Sequence, residues 1–194
     1  AYVYTLRAEA RAAGGDLAEA IADYDRALAA KAGFWPAVAE RGAILAERGD
    51  AQAAAELDRA IASVPGATIV EVLKSEQFRV LSRKGPPGRG TSTLSVTIQT
   101  LHLLAETYAA RGRLRFGQGA YAPAIADLNE ALKRVPNLSM ARLYRGLTYL
   151  ALGRCREGDA ELYALGGKDA AWVKANADPH REVATKAGCE LGAM

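Results

Sequence analysis

The chain has 194 residues, 50% hydrophobic and 24% charged, with a formal net charge of +3 and two cysteines. These values are ordinary for one folded domain with a continuous core. They leave no place for a membrane span, because the longest uncharged run, 90–105, is short and rich in Thr and Ser.

Residues 1–34 set Tyr4, Gly15, Leu17, Ala20, Tyr24 and Ala27 at the spacing of two helices joined by a short turn. The second of these helices contains AIADYDRAL over 20–28. Residues 35–66 repeat the spacing with Trp35, Gly42, Leu45, Gly49, Ala53, Leu57, Ala60 and Pro65, one residue short in the second helix. An insert of 67–104 follows. A third unit, 105–138, has Tyr108, Gly112, Gly119, Ala120, Tyr121, Ala124, Leu128, Ala131 and Pro136. Its AIADLNEAL over 124–132 nearly duplicates the first copy. A fourth and more degenerate unit, 139–166, keeps Gly146, Tyr149, Gly153, Leu162 and Leu165, and 167–194 remain as a C-terminal cap.

Each residue type has a physical task. Gly42, Gly112 and Gly146, with Ala20, Ala53 and Ala124 opposite, are predicted at close helix crossings. Tyr4, Tyr108, Tyr24 and Leu128 are expected to fill the space left between them. Gly15, Gly49, Gly119 and Gly153 fall at turns that need a left-handed backbone. Pro65 and Pro136 stop the second helices, while Pro123 sits in a first turn, where no backbone donor is lost. There are departures. Ala8 stands for a glycine, Ala32 for a proline and Gly158 for an alanine, and Arg11 and Arg115 stand where a core aromatic is common.

This pattern resembles the tetratricopeptide repeat, a 34-residue helix–turn–helix unit. The resemblance covers 1–66 and 105–166. It implies an all-α solenoid of antiparallel helix pairs with a C-terminal capping segment, in a single domain 1–194. It also implies a non-catalytic adaptor or scaffold whose concave groove, lined by the first helix of each unit, holds a peptide or helix of another protein. The groove positions are then Tyr2, Thr5 and Glu9; Ala39, Ala43 and Ala46; Ala109, Arg113 and Phe116; and Met140, Leu143, Leu147 and Leu150. The lysines and asparagines with which the chaperone-binding subgroup grips a terminal carboxylate are missing there. The strip Met140, Leu143, Leu147 and Leu150 suits an apolar helix instead. Leu143 and Leu147 are assigned to the partner, and Leu150 to the cap beneath Trp172 and Val173. The alternative is a structural or regulatory module of a larger assembly, docking through 67–104.

The insert is heterogeneous. Over 68–82, Ile69, Val72, Leu73, Phe78 and Leu81 mark a helix face, and 84–90 must be a loop. Residues 94–104 fit a strand or a helix. Helix is favoured, as one long element running into the third unit, because a lone hairpin is marginal. A phosphate loop over 85–92 is rejected, since Thr91 stands where the lysine should be. Residues 74–118 carry eight basic side chains against Glu76 and Glu106, a basic sector that would steer an acidic partner or stay solvated. Nucleic acid is not favoured, because exposed aromatics for stacking are lacking.

No catalytic set, metal site or cofactor is expected. His102 lies in an apolar run, and His180, after Asp178-Pro179, is expected to be exposed at a helix start. Cys155 and Cys189 either form a disulfide, if the cap folds back, or stay as two thiols. The first implies the periplasm and the second the cytoplasm. The chain opens with a helix under way and no methionine, which reads as a processed form or a fragment. Its Ala, Gly and Arg usage points to a GC-rich bacterium.

Overall fold

The computed structural model describes residues 1–64 and 93–189, without the side chains of 93–99, 168 and 169. Among the described residues there are nine α-helices and no strand: α1 (Tyr2–Ala13), α2 (Leu17–Ala30), α3 (Trp35–Glu47), α4 (Ala53–Ser63), α5 (Thr93–Gly117), α6 (Tyr121–Arg134), α7 (Ser139–Ala151), α8 (Cys155–Ala177) and α9 (Arg181–Lys186). A 3₁₀ turn, Asp178–His180, links α8 to α9. The all-α expectation holds. Residues 94–104 belong to the continuous 25-residue α5, as the helix alternative requires. Pro65, the apolar face over 68–82 and the loop 84–92 lie outside the described residues.

The turns repeat one construction. At the end of α1 the Gly15 N–H donates to Ala12 O at 3.0 Å, and the Asp16 N–H to Arg11 O at 2.9 Å. Gly49 with Asp50, Gly119 with Ala120, and Gly153 with Arg154 make the same pair of bonds. This is a Schellman closure, which consumes the last free carbonyls of a helix and needs a left-handed residue. The four glycines supply it, with φ between +71° and +87°.

The chain divides into two compact units, Ala1–Ala110 and Arg111–Met194. In the first, α1 packs on α2, α2 on α3 and α3 on α4. Ala8, Ala20, Tyr24, Ala27, Phe34, Ala37 and Ile44 form one buried cluster. Trp35, Val38, Ala39 and Ala60 form another, with Leu103 packed against it. The end of the insert is therefore core. The close crossing of α3 and α4 falls at Gly42, where an added Cβ would lie 3.1 Å from Leu57 Cδ2. Tyr24 fills the interior as expected, but Tyr4 is 37% exposed and does not.

In the second unit, α6 packs on α7, α7 on α8, and α9 returns to α7. A Cβ on Gly112 would lie 2.7 Å from Leu128 Cγ and 3.3 Å from Ala124 O. The predicted crossing of Gly112 and Ala124 is thus present. Gly146 and Gly158 face each other in the same way, a Gly158 Cβ falling 2.9 Å from Gly146 O. This explains the glycine at 158: Leu150 fills the room an alanine methyl would need. Helix α8 runs unbroken through Gly166 and Gly167 to Ala177, so residue 167 is not an element boundary.

Candidate functional site

The first helices are held to the second helices by arginine. Arg7 Nε and Nη2 donate to Asp23 Oδ2 and Oδ1, both at 2.6 Å, and Arg11 Nη1 adds a third bond at 2.6 Å. Arg26 adds a fourth. The Asp23 side chain is fully buried. The Arg7 bonds, helped by Arg26 and Arg11, outweigh that burial and hold its carboxyl well below the usual carboxylate range. In the second copy of the duplicated motif, Arg111 Nε and Nη2 donate to Asp127 at 2.9 and 2.6 Å, and Arg115 Nη1 donates at 2.6 Å. Arg11 and Arg115, the two arginines standing where a core aromatic is common, therefore each add a second cation of the first helix to a buried carboxylate. Arg111 and Arg115 are turned to Asp127, which removes them from the expected basic sector.

Arg41 and Arg145 occupy the same register and reach further. Arg41 donates to Glu56 of its own helix pair, at 2.7 Å from Nη2, and through Nη1 to Asp25 of the preceding helix. Arg145 pairs with Glu161 of its own pair and donates to Asn129 of the preceding helix at 2.8 Å. The sequence carries a signal for this ladder that position-by-position reading missed. Each arginine precedes the small crossing residue: Arg7-Ala8, Arg41-Gly42, Arg111-Gly112 and Arg145-Gly146.

The groove candidates separate by register. Thr5, Ala39, Ala109 and Leu143 hold one equivalent position, and all four are buried, at 1%, 1%, 6% and 0% exposure. This position is core, and Thr5 spends its hydroxyl on Ala1 O at 3.3 Å. Tyr2, Glu9, Ala43, Ala46, Arg113 and Met140 are half-buried. These six keep the accessibility that a binding surface needs.

The apolar strip on α7 is a correction. Leu143, Leu147 and Leu150 are all buried, at 0%, 2% and 0%. Helices α8 and α9 pack on α7, and Val173, Ala177 and Ala184 are buried with them. Leu143 and Leu147 thus share the fate assigned to Leu150 alone, because the C-terminal helices are apolar enough to close over the whole strip. Phe116 is also interior, 5% exposed. It meets Tyr121 at 5.9 Å, Tyr144 at 5.6 Å and His180 at 5.3 Å between ring centroids.

His180 is half-buried rather than exposed, wedged between Phe116 and Tyr144. Burial, with Arg113 nearby, lowers its pKa from the ordinary value. Arg113 lies over the Tyr144 ring, 5.9 Å from its centroid. Cys155 and Cys189 sit at disulfide-bonding distance, with Cα atoms 5.3 Å apart. His102 is exposed and faces Glu106 at 3.3 Å.

Among the described residues, no group of three or more His, Cys, Asp or Glu side chains is placed to hold a metal ion. No described helix is long and apolar enough to cross a membrane. No protein-family model matches the chain, and no curated protein matches it.

Proposed function

We propose that the chain is a tetratricopeptide-type α-solenoid and a non-catalytic adaptor that holds a peptide or helix of another protein. The observation that carries this is the recurrence of one joint. The same arginine, a small residue after it (Ala8, Gly42, Gly112 or Gly146) and the same Schellman glycine appear in each of these four helix pairs among the described residues. Within each unit, pairs built to one register pack one on the next, α2 on α3 and α6 on α7. In the first unit the surface offered to the partner is formed by Tyr2, Glu9, Ala43 and Ala46. The paired cysteines fit an oxidising compartment such as the periplasm.

A photo-cross-linking amino acid at Ala43 tests the reading in the source cells, with one at Tyr163 as the control. Tyr163 is 81% exposed and lies on α8. A discrete adduct from position 43 that is absent from 163 supports a groove partner. Equal labelling, or none from 43, overturns it.

A further inference from the structure

The segment 178–189, which comprises the 3₁₀ turn, α9 and the residues up to Cys189, is fastened mainly at its two ends. At one end the His180 ring sits against Phe116 and Tyr144, at 5.3 and 5.7 Å between ring centroids. At the other, Cys189 is 1% exposed and bonded to Cys155 at the start of α8. Ala187 O lies beside this bond, 3.4 Å from where a Cβ on Gly153 would stand. Between the two ends α9 packs on α7, but of its six residues it buries only Ala184. Three of its polar bonds join the segment to itself. Arg181 pairs with Asp178 at 2.8 Å, Lys186 pairs with Glu182 at 2.8 Å, and the Thr185 hydroxyl donates to Arg181 O at 3.1 Å.

Helix α8 is anchored differently. It packs along α7 and keeps Leu162, Leu165, Val173 and Ala177 at 5% exposure or less. That is enough apolar area to hold a long helix in place without a cross-link. Helix α9 has no such reserve. Six residues are far below the about 12–15 that a helix needs to persist in water by itself, and one buried alanine adds little area. The bond to Cys155 therefore keeps α9 docked, while α8 stays docked without it.

We propose that the Cys155–Cys189 bond is a redox latch. A dithiol reductant opens it, the segment 178–189 leaves α7, and the rings of Phe116 and Tyr144 lose the histidine between them, while α6, α7 and α8 stay folded. Cys155 is half-buried and Cys189 is enclosed, so the reductant reaches Cys155 first. A reductant thiolate attacks Cys155 Sγ, the S–S bond breaks, and Cys189 leaves as a thiolate that takes up a proton. The second thiol of the reductant then displaces Cys155, which also takes up a proton, and the reductant keeps its own new disulfide. Two electrons have passed from the dithiol to the cystine. Exchange with an oxidised carrier of the same class runs the step backwards and closes the latch. The inference concerns this closure alone, and stands whether or not the adaptor reading does.

The test is amide hydrogen–deuterium exchange on the intact chain, before and after reduction with dithiothreitol in the absence of denaturant. Alkylation and mass measurement count the free thiols and fix the redox state. Reduction is expected to speed exchange in 178–189 by about tenfold or more, and to change it by less than about threefold in α7 and in α8 up to Ala177. Reoxidation restores the slow rates. A chain carrying Cys155→Ser and Cys189→Ser exchanges at the reduced rate with and without dithiothreitol. Unchanged exchange in 178–189 after full reduction makes the bond a passive staple and overturns the proposal. Faster exchange along the whole of α6, α7 and α8 overturns it too, because the bond then supports the entire unit. So does a bond that resists dithiothreitol in the folded chain.

Discussion

Arg111 grips the buried Asp127 carboxylate with two hydrogen bonds across 16 residues, and Arg7 grips Asp23 in the same way. Asp127 is 4% exposed and Arg111 15%. Removing the carboxylate takes their shared acceptor from two partly buried cations. Asp127→Ala should therefore cost about 3 kcal/mol, because breaking a buried ion pair by removing one partner is strongly destabilising. Asp127→Asn, which keeps one acceptor, should cost less. Urea denaturation of both variants checks the order.

The depressed carboxyl of Asp23 gives a pH signature. Its folded-state pKa lies below the unfolded value, so its contribution is present above about pH 4 and lost as pH falls through the folded pKa. Asp23→Asn should be less stable than wild type at pH 7, and the gap should close on acidification. Denaturation midpoints measured from pH 7 down to pH 2 would show the two curves converging.

The crossing at Gly112 has no room for a methyl group. Gly112→Ala should lose about 1–3 kcal/mol by overpacking against Leu128, more than the ~1 kcal/mol an alanine gains in helix propensity. Gly117→Ala, at a site where an added Cβ meets nothing within 4 Å, should be neutral or stabilising. Opposite signs at two glycines of one helix would tie the loss to the crossing.

His180 should make stability fall below neutrality. Its pKa is lower folded than unfolded, so the neutral ring's contribution is complete above about pH 6.5 and declines as pH falls below that value. His180→Phe keeps a ring between Phe116 and Tyr144 but cannot titrate. Thermal melts between pH 5 and 8 should flatten in the variant.

The C-terminal closure yields a paired prediction. Leu147→Asp places a charge in the core and should destabilise by about 3–5 kcal/mol or unfold the chain. Reduction of the Cys155–Cys189 bond, which closes a loop across 34 residues, should cost about 2–4 kcal/mol. A chain carrying Cys155→Ala and Cys189→Ala should melt at one temperature with and without dithiothreitol.

The sequence alone determined the parts that depend on local backbone needs. A left-handed turn accepts little but glycine, so Gly15, Gly49, Gly119 and Gly153 marked helix ends correctly. Close crossings demand small residues, so Gly112 and Ala124 located theirs. Tertiary structure decided what depends on a second surface. A leucine stripe looks the same whether a partner or the chain itself covers it, and only the return of α8 and α9 made Leu143 and Leu147 interior. An arginine at a core position looks like an error until Asp127 is placed opposite Arg115. His180 is polar in isolation and became half-buried because two rings left a slot of its size. Backbone geometry is written residue by residue, whereas burial belongs to pairs of surfaces that meet only after folding.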